Sequence, residues 1–136
     1  MADTPDSAPA SSVGEDNTAA IVGYLFGVGL VIGAVIHGGK KTRLGAFHLR
    51  QALGILLLAI AGTVAFVILG FLGAFLGGIP VAGWMLVKGV YLLAWFFRLG
   101  LLILTLLGLL AAVNREQKPL PVIGAVCQRL FASVFA

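Results

Sequence analysis

Long apolar runs alternate with short polar ones along this chain. Residues 1–17, MADTPDSAPASSVGEDN, are small and polar, with acidic side chains at Asp3, Asp6, Glu15 and Asp16. That composition predicts a disordered tail, and it is the wrong opening for a signal peptide, which starts with basic residues. The next twenty residues, TAAIVGYLFGVGLVIGAVIH (18–37), carry no formal charge. At about 1.5 Å per residue they reach the ~30 Å thickness of a bilayer's hydrocarbon layer, so they predict a first, retained transmembrane helix. Gly38 and Gly39 are expected to end it. The run 52–78 has fifteen Leu, Ile, Val and Phe residues and no charge, and it predicts a second span. Gly77, Gly78 and Pro80 should break that helix.

The last long run, 81–113, holds 33 residues. As one helix it measures about 50 Å, too long for one straight crossing, while two crossings need about 40 residues and a turn. The expected form is one long or tilted helix with its span over 85–113. A helix broken near Gly89 or Gly100, giving four crossings, is the alternative. Pro119 and Pro121 should stop the third helix. Beyond them Val122, Ile123, Val126, Cys127, Leu130, Phe131 and Val134 fall on one helical face, with Gln128, Arg129 and Ser133 opposite. That pattern predicts a short amphipathic helix over about 122–135, lying on the membrane surface. The fold class is thus an all-α membrane bundle of about three transmembrane helices plus a C-terminal interfacial helix.

Composition supports the bilayer as solvent. The 136 residues are 60% hydrophobic and 10% charged, where soluble domains carry about 25% charged residues. The net charge of +4 is spread thinly between apolar runs, so nucleic acid is not an expected partner and anionic lipid is. With three crossings, Lys40, Lys41, Arg43, Arg50, Arg115, Lys118 and Arg129 share one side. Because positive residues stay in the cytoplasm, the N-terminus is expected outside and the C-terminus inside.

Little chemistry is on offer. The two histidines, one cysteine and five carboxylates, four of those in the tail, form no recognisable catalytic, metal or phosphate-loop motif. A non-enzymatic protein without cofactor is expected. His48 and Gln51 stand three apart and share a helix face; they either hydrogen-bond across to another helix or form a polar collar at the helix end. Arg98 interrupts an apolar run and is expected in the outer third of a span over 91–113. There it either snorkels to the outer headgroups or faces a water-filled cavity. Gly23 and Gly27, like Gly29 and Gly33, stand four apart, which suits close packing of a helix within the chain; a merely glycine-rich membrane composition gives the same spacing. Lys88, Trp84, Tyr91 and Trp95 fit an interfacial belt.

The order of AAIVGYL, a basic loop, GAFHLRQALG, Ile79-Pro80-Val81-Ala82-Gly83-Trp84 and NREQKPLPVIG resembles a family of small bacterial membrane proteins of mostly unknown function. That family includes the MamF-like magnetosome membrane proteins. It is similar, more distantly, to the twenty-kilodalton Tic component of chloroplast protein import. The resemblance covers about residues 18–126, and its most specific elements are Phe47-His48 with Gln51, Ile79-Pro80 and Lys118-Pro119-Leu120-Pro121. The family often has Gly near Arg115, so a different helix end is expected here. The resemblance implies a bacterial inner-membrane protein without known catalysis. The expected role is structural or assembly-related, with a homo-oligomer or a membrane-protein partner. The alternative is a channel or translocation subunit acting as an oligomer.

Overall fold

The computed structural model describes residues 16–78 and 81–135, apart from the side chain of Phe26. The expectations for tail residues 1–15 and for Pro80 fall outside the described residues. Within them, all regular structure is helical: α1 Thr18–Gly23, α2 Phe26–Lys40, α3 Arg43–Phe75, a 3-10 turn over Leu76–Gly78, α4 Ala82–Val113 and α5 Gly124–Leu130.

The first apolar run is not the single helix that its length predicts. α1 tightens into two i→i+3 hydrogen bonds, Tyr24 N–H to the Ile21 carbonyl (3.2 Å) and Leu25 N–H to the Val22 carbonyl (2.9 Å). Leu25 then leaves the helical region at ψ 55°, and α2 folds back antiparallel along α1. Glycine makes both halves of this possible. Each glycine weakens a continuous helix by about 1 kcal/mol relative to alanine. Gly29 and Gly33 also admit the facing backbone. A Cβ on Gly29 would lie 2.3 Å from the Val22 carbonyl oxygen, and one on Gly33 would lie 2.9 Å from that of Ala19. Gly38 and Gly39 do not end the helix. α2 runs through both to Lys40, and Lys41 takes the left-handed conformation (φ 39°) that closes it.

This hairpin changes the expected topology. Asn17 Nδ2 donates to the Ala112 carbonyl (3.3 Å) at the end of α4, while Lys40, at the far end of α2, pairs with Asp16. Lys40 and Thr18 hold the partly exposed Asp16 carboxyl well below the usual carboxylate range. Both ends of the hairpin therefore meet the C-terminal end of α4. The first run enters and returns, and residues 16–18 lie at the same end as the C-terminal segment. Three through-going helices with termini at opposite ends are replaced by two long helices and a short hairpin.

Those two helices are long and apolar enough to cross a membrane, with mean hydropathy reaching 2.8 over an 18-residue stretch of Arg43–Gly78 and 2.3 over one of Ala82–Val113. They pack antiparallel. A Cβ on Gly62 would strike the Phe97 ring at 2.3 Å, and one on Gly73 would touch Val87 at 3.2 Å. α4 is unbroken at Gly89 and Gly100, because nothing competes there with the next helical hydrogen bond. Arg98 lies 16 residues from Ala82 and 15 from Val113. That is midway along α4, which begins nine residues ahead of the span 91–113 on which an outer-third position is expected.

Packing is concentrated at one end. Ala20, Tyr24, Leu30, Leu44, Leu49, Ala52, Ile55, Ala112 and Leu120 form the core. Beyond Ile55, the one buried residue of α3 is Gly73. The most apolar stretches of α3 and α4 are only 6% and 11% buried, and Phe75 is 87% exposed.

α4 ends in a Schellman motif. Arg115 N–H bonds the Ala112 carbonyl (3.2 Å) and Glu116 N–H bonds that of Ala111 (2.9 Å). Arg115 itself supplies the left-handed residue, at φ 59°, so the helix end keeps its usual geometry without glycine. α5 is shorter than expected, and one side of it packs on α3. A Cβ on Gly54 would meet Cys127 Sγ at 2.1 Å, and burial pushes the Cys127 thiol pKa up. Gln128, expected on the outer polar face, donates from Nε2 to the Phe47 carbonyl at 2.8 Å. Val122, Val126, Leu130 and Val134 are left outward and exposed.

Two expectations follow. Gly29→Val should cost about 3 kcal/mol by overpacking, whereas Gly38→Ala, which meets open space, should gain up to about 1 kcal/mol. Denaturant unfolding followed by circular dichroism in micelles measures both. Val122 is 93% exposed at φ 70°, so Val122→Gly should raise stability by about 1 kcal/mol in the same assay.

Candidate functional site

The packed end is organised around a buried polar group. Tyr24 sits in the turn between α1 and α2, its ring against α4, where a Cβ on Gly108 would lie 2.5 Å from Tyr24 Cε1. Its hydroxyl reaches His48 Nδ1 at 3.2 Å and Gln51 Oε1 at 3.1 Å. His48 Nε2 lies 2.9 Å from the backbone carbonyl of Glu116, beyond the end of α4. His48 and Gln51 are both fully buried. The three-residue spacing seen in the sequence does bring them to one face, and their partners are the hairpin and the segment after α4. They form an internal connection and not a hydrated collar.

Donor counting gives the direction of this chain of bonds. A carbonyl only accepts, so His48 Nε2 carries a proton. A neutral imidazole then accepts at Nδ1, which claims the Tyr24 hydroxyl proton. With Gln51 presenting Oε1, that proton is claimed twice, and Gln51 Nε2 has no partner. Turned end for end, the amide donates to Tyr24, Tyr24 donates to His48, and His48 donates to Glu116, with one donor for each contact. The arrangement holds three segments together.

The other candidate residues are dispersed. Arg50 ties down the C-terminus, Nη2 donating to the Ala132 carbonyl at 2.7 Å and the Phe135 carbonyl at 3.4 Å. Gly23 and Gly27 do not share one helix face, because the chain turns between them, yet both face α3. Their Cβ positions lie 2.7 Å from Leu49 Cδ2 and 3.8 Å from Leu56 Cδ1. Lys118 is exposed. Pro119 presses on the backbone of Gly124, where a Cβ would meet the Pro119 carbonyl carbon at 2.8 Å. The Pro121 carbonyl accepts from Ile123 N–H at 2.8 Å. Lys88 lies over the Trp84 ring at 5.9 Å.

Arg98 is exposed, and no carboxylate among the described residues pairs with it. It lines two apolar clefts, one of about 280 Å³ between the α1–α2 hairpin, α3 and α4, and one of about 450 Å³ between α3 and α4. Among the described residues no three His, Cys, Asp or Glu side chains come together as metal ligands would.

Sequence reasoning missed Tyr24 and Gly108. Gly108 and Ala112 stand four apart on α4, the same small-residue spacing noted in the first run, and that signal could have marked the face that receives the hairpin.

Tyr24→Phe keeps the ring and removes the hydroxyl, leaving His48 Nδ1 and Gln51 without their shared partner. It should cost about 1–3 kcal/mol. Tyr24→Phe with Gln51→Leu should recover part of that loss in a double-mutant cycle of unfolding free energies.

Compared with known proteins, the chain matches no family model, no curated protein and no solved structure, so the resemblance drawn above rests on its motifs alone.

Proposed function

We propose that this chain is a non-enzymatic integral membrane protein that serves as a structural or assembly component of a membrane complex. The exposure of α3 and α4 supports the membrane. The core helix of a soluble protein hides its apolar side chains, whereas these helices present them outward over most of their length. Lipid or partner helices cover such a surface without the penalty that water imposes.

Seven of the nine Lys and Arg residues belong to the packed end or the segments attached to it: Lys40, Lys41, Arg43, Arg50, Arg115, Lys118 and Arg129. By the positive-inside rule that end is cytoplasmic, together with residues 16–18 and the C-terminus. The proposed topology is two crossings with a re-entrant hairpin, in a bacterial inner membrane if the motif resemblance holds.

Arg98 is the observation that carries the assembly role. A guanidinium in the middle of a span is costly unless it is paired, and the sequence has no Asp or Glu between Asp16 and Glu116. Its counter-charge therefore comes from another molecule, and we assign it to a partner transmembrane helix bearing a carboxylate. A second reading, a channel or translocation subunit, has Arg98 lining water between the two clefts. Two long helices cannot enclose a pore, so that reading needs several copies.

Mass measurement in nanodiscs, with crosslinking in native membranes, tests both. Wild type should carry a partner subunit that Arg98→Leu releases while its unfolding midpoint is kept. A homo-oligomer that conducts ions favours the second reading, and a lone monomer under both conditions defeats both. Single cysteines at positions 17 and 118, in a Cys127→Ala background, should be labelled from the same side of the membrane. Labelling from opposite sides would reject the two-crossing topology.

A further inference from the structure

A cleft of about 330 Å³ opens where α2 turns into α3, beneath the C-terminal segment. Its wall carries Lys41, Arg43 and Arg50 and includes no Asp or Glu. The ion pair among the described residues joins Lys40 to Asp16 and leaves Lys41 and Arg43 without a carboxylate.

Two further features point to a ligand and not merely to a solvated basic surface. His37 lines the cleft, is only 6% exposed, and has no hydrogen-bond partner on either ring nitrogen. The Phe135 carbonyl approaches it without completing a bond. Arg50 spends Nη2 on the C-terminal backbone, while its Nε is buried and unpartnered. Buried polar groups in a settled fold are almost always paired, and here two of them border the same basic cleft. The cleft also sits at the start of α3, capped by Thr42 Oγ1 accepting from Gly45 N–H at 3.0 Å. The N-terminus of a helix 33 residues long favours negative charge.

The donors match a tetrahedral anion. Two arginines, a lysine and an imidazole offer more N–H groups than one carboxylate can accept, whereas a phosphate has the oxygens to take an arginine fork and further donors together. Phe47 and Phe135 in the same wall give the carbon side of a phosphate ester an apolar contact. We infer that this cleft binds a phosphate group, carried either by an anionic phospholipid headgroup or by free phosphate. Its lipid form takes from the proposed function only that the chain lies in a bilayer.

The test uses the full chain. Native mass spectrometry from detergent, with phosphatidylglycerol titrated in, should show one lipid retained in preference to phosphatidylcholine. Lys41→Gln with Arg43→Gln removes two exposed cations and should weaken retention about 25-fold, about fivefold for each cation, with the unfolding midpoint kept. Inorganic phosphate that binds with the same loss in the double variant, and displaces no lipid, assigns the site to free phosphate. Equal retention by wild type and the double variant, with no phosphate bound to either, overturns the inference. It is also overturned if binding appears only after Asp3, Asp6 and Glu15 are neutralised to Asn and Gln, since the acidic tail is then the occupant. Failure of the chain to enter nanodiscs defeats the membrane reading, while the inorganic phosphate titration still decides the site.

Discussion

A chain that reverses direction in apolar surroundings must satisfy the polar groups at its turn from within, because no solvent is at hand to do so. Here that requirement falls on Tyr24. Its hydroxyl stands at the tip of the hairpin and meets the two polar side chains of α3, and His48 passes the connection on to the Glu116 carbonyl. The hairpin, the start of α3 and the end of α4 are thus joined by one chain of donors. The close fit around it has the same dependence: Gly29 and Gly33 bring α1 onto α2, and Gly108 lets α4 accept the Tyr24 ring. A methyl group at any of the three would push the tip away from its partners.

The C-terminal segment extends this arrangement. Arg50 and the Phe47 carbonyl, both on the first turns of α3, hold it through Ala132 and Gln128. Pro119 and the left-handed Val122 bend the chain after α4 so that α5 reaches α3. Beyond that left-handed residue, Cys127 packs closely against Gly54. Nothing comparable occurs along the outer lengths of α3 and α4, where contacts such as Gly62 with Phe97 join only two helices.

The sequence made the helical class, the two long apolar helices and the His48–Gln51 face legible, because each rests on composition or on local spacing. It did not make the hairpin legible. A run of twenty uncharged residues satisfies the length of a span whether it continues or folds back, and the choice depends on what lies across from Gly29 and Gly33. The same limit applies to Gln128. A helical wheel assigns it to the polar side, yet the acceptor it bonds, the Phe47 carbonyl, belongs to a different segment about eighty residues away. Arg98 is midway along α4 because the helix begins at Ala82, whereas an outer-third position assumes a span over 91–113. A helix start next to a glycine turn, where Gly83 lies against Gly77, has no strong local signature.

The unequal distribution of helices along the long axis has a mechanical consequence. At one end α1, α2, α3 and α4 stand together with α5 against α3, while at the other end only α3 and α4 remain. The molecule is therefore tapered. In a bilayer it would occupy more area in one leaflet than in the other, and the lipid packing strain around it would depend on the sign of the local curvature. Crowded together with their broad ends aligned, such tapered bodies would favour a surface that bends away from the hairpin side.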